Sequence, residues 1–121
     1  MSTGEASRGP ISPLKHVLLY SWELKTAADL SDVARRLREA KFYVVGARKD
    51  VIVATSLARP GVVIFIIIEK EPGRGDIVLI QGPGGPYSFE EIVRAMPTFA
   101  RIAGIRLTGS WRGQPLGDAG K

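Results

Sequence analysis

Residues 62–68 read Val-Val-Ile-Phe-Ile-Ile-Ile, seven apolar side chains with no polar interruption. Six are β-branched and one is aromatic, a composition that fits a pleated strand better than a helix. The run is far shorter than the roughly 20 residues a helix needs to span a bilayer. A strand with one wet face alternates apolar and polar side chains, and this one does not, so both of its faces call for cover. Whatever fold the chain adopts must supply apolar surroundings on two sides of this segment.

The neighbouring segments extend the argument. Strand-like runs occupy residues 42–47, 51–56, 62–69 and 77–81. They are joined through Arg48-Lys49, Arg59-Pro60-Gly61 and Pro72-Gly73-Arg74-Gly75, connections too short to hold a crossover helix. The expected sheet is therefore a four-stranded antiparallel meander. If Arg48 and Lys49 form a two-residue turn, Phe42, Val44, Val51 and Val53 share one face, and Tyr43, Val45, Ile52 and Ala54 share the other. Neither face is polar. The second face must then be covered by a helix, by another subunit, or by a ligand that favours apolar surface.

Helices flank the sheet in sequence. Leu30, Val33, Ala34 and Leu37 recur at i, i+3, i+4 and i+7, with Thr26 as N-cap and Asp29 three residues on, which predicts a helix over 27–40. Residues 14–24 are ambiguous: Leu18, Tyr20, Trp22 and Leu24 alternate as in a strand, yet Val17 and Leu19 fill the gaps, and the reading leans to helix. Ser88 and Glu91 form a capping box for a helix carrying Ile92, Val93 and Met96. Pro97 predicts a kink, with further turns over 99–103. Residues 1–13 and the Gly-rich 108–121 are expected to be a mobile leader and tail, leaving one α+β domain over 14–107: a four-stranded antiparallel meander sheet preceded by one or two helices and followed by a kinked helical C-terminal segment.

Little catalytic chemistry can be built from these residues. The chain has no cysteine, which removes disulfides, thiolate nucleophiles and zinc ribbons. The stretch Gln-Gly-Pro-Gly-Gly-Pro-Tyr-Ser-Phe-Glu-Glu over 81–91 lacks the Lys and Ser/Thr of a Walker A loop, and it follows a meander strand rather than opening a βαβ unit. It reads as a pivot between sheet and helix, with Tyr87 exposed on it. His16, the single histidine, has no evident partner in sequence and reads as structural, and the acids are interspersed with lysines as on a solvated surface. The expectation is a non-enzymatic protein with no catalytic residue, cofactor or metal.

Charge is less evenly spread. Seventeen Lys and Arg against twelve Asp and Glu give a net charge of +5, a balance that favours polyanionic partners. Arg35, Arg36, Arg38, Lys41, Arg48 and Lys49 fall within 33–49 with Glu39 as the only acid, and Arg94, Arg101, Arg106 and Arg112 fall within 92–117 with none. Tyr43, Tyr87, Phe99 and Trp111 are interleaved with them. Cations that follow phosphates and aromatic faces that stack bases are what a single-stranded nucleic-acid site requires. The candidate binding residues are Lys41, Tyr43, Arg48, Lys49, Arg59, Arg74, Tyr87, Arg94, Arg106, Trp111 and Arg112. The alternative is a protein–protein interaction or dimerisation module that uses the apolar second sheet face. With no signal-peptide pattern and no membrane span, a cytoplasmic location is expected.

A helix, a four-strand meander and a helical C-terminal part in a small, basic, Cys-free chain resemble the ThermoDBP-like single-stranded DNA-binding proteins of thermophilic archaea, over roughly 14–107. The absence of asparagine and the scarcity of His and Met fit a chain that works hot. The resemblance implies a cleft with an apolar floor and basic walls, to which Tyr43, Arg48, Lys49 and Arg106 are suited. The chain has no leucine zipper.

Overall fold

Leu18, Tyr20 and Trp22 are buried while Val17 and Leu19 between them are only partly covered, a period of two that belongs to a strand. The stretch expected to be helical is thus β1 (His16–Leu24). The computed structural model describes residues 15–111. After β1 come α1 (Leu30–Glu39), β2 (Phe42–Arg48), β3 (Val51–Ser56), β4 (Val63–Glu71), β5 (Arg74–Gln81), α2 (Phe89–Ala103) and β6 (Ile105–Trp111). The sheet has six strands in the order β2-β3-β4-β5-β1-β6, with every neighbouring pair antiparallel.

The expected four-strand meander, β2 to β5, is present, and the fold is α+β. The correction is that two further strands enlarge the sheet: β1 inserts beside β5, and β6 pairs with the far side of β1. The strand β6 continues through Trp111, past the expected domain end at Leu107. Its apolar signal is short, because Thr108, Gly109 and Ser110 follow Ile105 and Leu107.

The turn after β2 also differs from expectation. Register shifts at a bulge between Gly46 and Arg48, and the connection falls on Lys49 and Asp50. One extra residue reverses the facing of every side chain beyond it. Phe42 and Val44 therefore share their face with Ile52 and Ala54, and Tyr43 and Val45 share theirs with Val51 and Val53.

Both helices cover one face only. Leu18, Tyr20, Trp22, Val44, Ile52, Ala54, Ile67, Ile77, Leu79 and Ile105 from the sheet form one core with Leu30, Val33, Ala34 and Leu37 of α1 and Ile92, Met96, Phe99, Ala100 and Ala103 of α2. Burial pushes the Tyr20 phenol above its ordinary pKa, so it stays neutral within this core. The Trp22 indole N–H donates to the Asp76 carbonyl at 2.9 Å, which satisfies its polar edge.

The first helix begins later than its spacing suggested. Asp29, not Thr26, is the N-cap, and its carboxylate accepts from the Asp32 N–H at 2.8 Å. Asp32 accepts in turn from the Ala28 N–H at 2.9 Å and from Arg35 Nε at 3.0 Å. The Ala28 amide first, and Arg35 beside it, hold the Asp32 carboxyl at about 2, below its usual 3.8. A depressed carboxylate stabilises the fold above its unfolded pKa, and that contribution disappears as pH falls through the folded value. The thermal midpoint of Asp32→Asn should lie below that of the wild type near neutrality, and the gap should close between pH 4 and 2. A gap that stays constant over that range would disprove the assignment.

In α2 the capping box is as expected: the Glu91 N–H donates to Ser88 Oγ at 3.1 Å, and the Ser88 N–H donates to Glu91 Oε1 at 2.8 Å. Pro97, expected to divide the segment, sits inside a continuous helix. Its missing N–H leaves the Val93 carbonyl without its usual i+4 helical partner, and both residues are exposed. Gly104 ends the helix with φ +78°, and its carbonyl accepts from the N–H groups of Lys25, Thr26 and Ala27, each at 3.0 Å. That one carbonyl ties the end of α2 to the link between β1 and α1.

Candidate nucleic-acid interface

The two helices do not cover their face of the sheet evenly. Between α2 and the strands β2 to β4 lies a cleft of about 480 Å³, within the usual range of ligand pockets, ~300–1,000 Å³. Phe42, Phe65 and Phe99 line it from three different elements. The Phe65 and Phe99 rings stack with centroids 3.9 Å apart, and Phe42 meets both edge-on, at 6.0 Å and 5.5 Å. Val62, Val63, Ile92, Met96 and Ile102 complete the apolar walls. Hydrogen-bonding side chains along it are few: Ser56, Thr98, Tyr87, Arg59 and Glu91.

One cation lines this cleft, and two more adjoin lining residues in sequence. Arg59 lines it, with its guanidinium 5.8 Å from the Tyr87 ring centroid. Lys41 immediately precedes Phe42, and Arg94 immediately precedes Ala95, also a lining residue. All three are exposed, and none takes part in an ion pair among the described residues. Lys41 is held where it is by backbone geometry: its φ is +71°, an unusual value for a side-chain-bearing residue, and its carbonyl accepts from the Leu57 N–H at 3.0 Å. The acid at the cleft, Glu91, is occupied by its capping box.

Residues 82–88 set the position of Tyr87, and they do so around Gln81. This side chain is fully buried at the end of β5. Its carboxamide nitrogen donates to the Tyr87 carbonyl at 3.1 Å and lies 2.7 Å from His16 Nδ1, and its oxygen accepts from the Tyr87 N–H at 3.1 Å. His16 is buried, as a structural histidine would be. A Cβ on Gly85 would overlap the Gln81 carboxamide, so only glycine lets the loop close over it. The Gly85 N–H donates to the Gly82 carbonyl, and the Ser88 N–H to Glu91. The loop's amides are thus turned to holding the loop itself, and the stretch is a pivot, with Tyr87 half-buried.

The remaining candidates lie elsewhere. Ile68 pairs with both Val51 and Asp76, which puts the turns after β2 and β4 at one end of the sheet, while Val63 pairs with Gln81 at the other. The two ends are roughly 20 Å apart at ~3.3 Å per residue. Lys41, Arg59, Tyr87 and Arg94 gather at the cleft end; Arg48, Lys49, Arg74 and Arg106 gather at the far end. Three of those four are paired, Arg48 with Asp50 at 3.5 Å, Arg74 with Glu71 at 3.7 Å, and Arg106 with Glu23. Tyr43 is 59% exposed, on the face away from the helices. Trp111 enters through its backbone pairing with Leu19, and Arg112 lies outside the described residues. Sequence reasoning missed Phe42 and Phe65 as site residues, and Phe99, a core residue at 5% exposure, was not among its candidates; the meeting of the three rings depends on contacts among three elements that carry no local signal.

The second face of the sheet carries neither helix. Three rows of side chains run across it: Tyr43, Thr55, Ile64, Ile80 and Val17; then Val45, Val53, Ile66, Val78 and Leu19; then Val51, Ile68, Asp76 and Ser21. All are half-buried or exposed, and Val45 is 43% exposed. The apolar surface that the sequence calls for on both sides of residues 62–68 is therefore covered on one side and open on the other.

No set of three or more metal-ligating side chains is grouped among the described residues, and no helix among them is long and apolar enough to cross a membrane. Comparison of the chain with protein-family models, with curated proteins and with solved structures returns no match, so the meaning of the cleft rests on its own geometry.

Proposed function

We propose that the protein is a non-enzymatic module that binds single-stranded nucleic acid, DNA in the first instance, with little sequence preference. Unstacked bases enter the cleft beside α2, and phosphates lie against Lys41, Arg59 and Arg94. The observation that carries this reading is an aromatic-lined apolar cleft adjoined by exposed cations that have no acidic partner among the described residues. An apolar cleft accepts any base by its face, at ~1–3 kcal/mol per stacked base, and the scarcity of polar lining groups leaves base edges unread. A duplex keeps its bases stacked inside and cannot use such a cleft. The more distant Arg48, Lys49, Arg74 and Arg106 belong to this site only for a strand long enough to cross the sheet's length.

The test is fluorescence anisotropy with a labelled mixed-sequence single strand and a matched duplex over a salt series. Single-strand preference is expected, with log affinity falling against log salt by ~0.7 per phosphate contacted. The triple variant Lys41→Ala, Arg59→Ala, Arg94→Ala should reduce that slope by about 2, as three lost contacts require, with melting little changed because all three side chains are exposed. An unchanged slope would remove the cleft from the site.

A second reading, an interaction module, is favoured by a separate observation, the open apolar face of the sheet.

A further inference from the structure

We propose that the open face of the sheet is the seat of a second copy of this chain, packed sheet against sheet about a twofold axis. This inference goes beyond the cleft, which lies on the opposite side of the same sheet.

The central row, Val45, Val53, Ile66, Val78 and Leu19, is entirely aliphatic across five strands. A solvated face of an antiparallel sheet carries polar side chains, and the middle of this one carries none. Five strands ~4.8 Å apart and about six residues of ~3.3 Å give a flat area of roughly 480 Å² per copy, near 1,000 Å² for two before side-chain relief is counted, which is about the threshold for a biological interface. The surface is also cheap to order: Val and Ile have few rotamers to lose, and two twisted sheets pack naturally at ~10 Å and about −30°.

Charge and composition decide the occupant. The ionic groups at one end of this face, Arg48 with Asp50, Lys70 with Asp76 and Arg106 with Glu23, are matched in number and paired with each other. On the face itself these pairs offset one another, so it lacks the excess of one charge sign that would draw a nucleic acid or a strongly charged protein onto it. Residues 1–14 and 112–121 hold only Met1, Ile11, Leu14 and Leu116 as large apolar side chains, a composition that offers little to match an aliphatic surface of this size. A flat, neutral, aliphatic surface is complementary to its own copy, and a twofold axis lets each row meet its equivalent without a second matching patch.

The experiment is sedimentation velocity on the full chain at ~100 µM, a concentration that populates any dimer with a low-micromolar Kd. The wild type should sediment as twice 13.1 kDa. Ile66→Lys, which places a charge at the centre of the face, should halve that mass. If that variant does not fold, the pair Val53→Thr and Val78→Thr decides, since threonine keeps the β-branch and adds a hydroxyl; its circular dichroism should stay native while its mass falls to the monomer. A monomeric wild type overturns the proposal. So does a folded variant that keeps the wild-type mass, which would place the contact elsewhere, or a wild-type assembly larger than two that neither substitution changes.

Discussion

Gln81→Leu is expected to lower stability by about 3 kcal/mol or more, because a leucine of similar bulk strips partners from the Tyr87 N–H, the Tyr87 carbonyl and His16 Nδ1 at once. In a domain of this size that amounts to roughly 12–25 °C in melting temperature. The loss should not be confined to stability. Residues 82–87 are closed around this carboxamide, and Tyr87 supports the Arg59 guanidinium at the cleft mouth. Single-strand affinity of the folded fraction should therefore fall together with the melting temperature. Urea denaturation gives the first quantity and anisotropy below the transition gives the second. A variant that melts within ~2 °C of the wild type would show that the carboxamide is dispensable.

Trp22→Ala should cost about 3–5 kcal/mol, the range for emptying a large aromatic site in a packed core. Trp22 is 1% exposed and pairs with Gly75 on its β5 side, so that strand has no side chain there with which to fill the void. Trp22→Phe separates the contributions. It retains most of the apolar contact and removes only the indole donor to the Asp76 carbonyl, and should cost about 1–3 kcal/mol. Equal losses in the two variants would mean that the hydrogen bond, not the packing, holds this part of β1.

Elements whose signal is local were legible in the chain. The apolar stripe Leu30, Val33, Ala34, Leu37 is buried as its spacing requires, the Ser88–Glu91 box caps α2, and β3 has the limits read from the sequence. Features that depend on partners distant in sequence were not. The place of β1 between β5 and β6 depends on pairings such as Leu18 with Leu79 and Trp22 with Leu107, and the apolar Val17 and Leu19 that blur its alternation lie on the open face of the sheet. The bulge at Gly46 reversed the facing of β3 relative to β2, and one residue is enough to do that. Thr26 lost the cap to Asp29 because Asp29 accepts from the Asp32 N–H and Asp32 from that of Ala28, an exchange that starts the helix three residues later. The candidate cations among the described residues are exposed; their division between two ends of the sheet follows from the antiparallel order, which only the assembled strands define.

The strand order also has a consequence in time. Among the described strands β1 is made first, yet it pairs with β5 and β6, the two made last. The hairpins from β2 to β5 join neighbours in sequence and close quickly, whereas β1 must wait with Leu18, Tyr20 and Trp22 unprotected until β5 emerges. Completion of the sheet is then the slow event of folding, and nascent chains that end before Gln81 carry a strand with no place to dock.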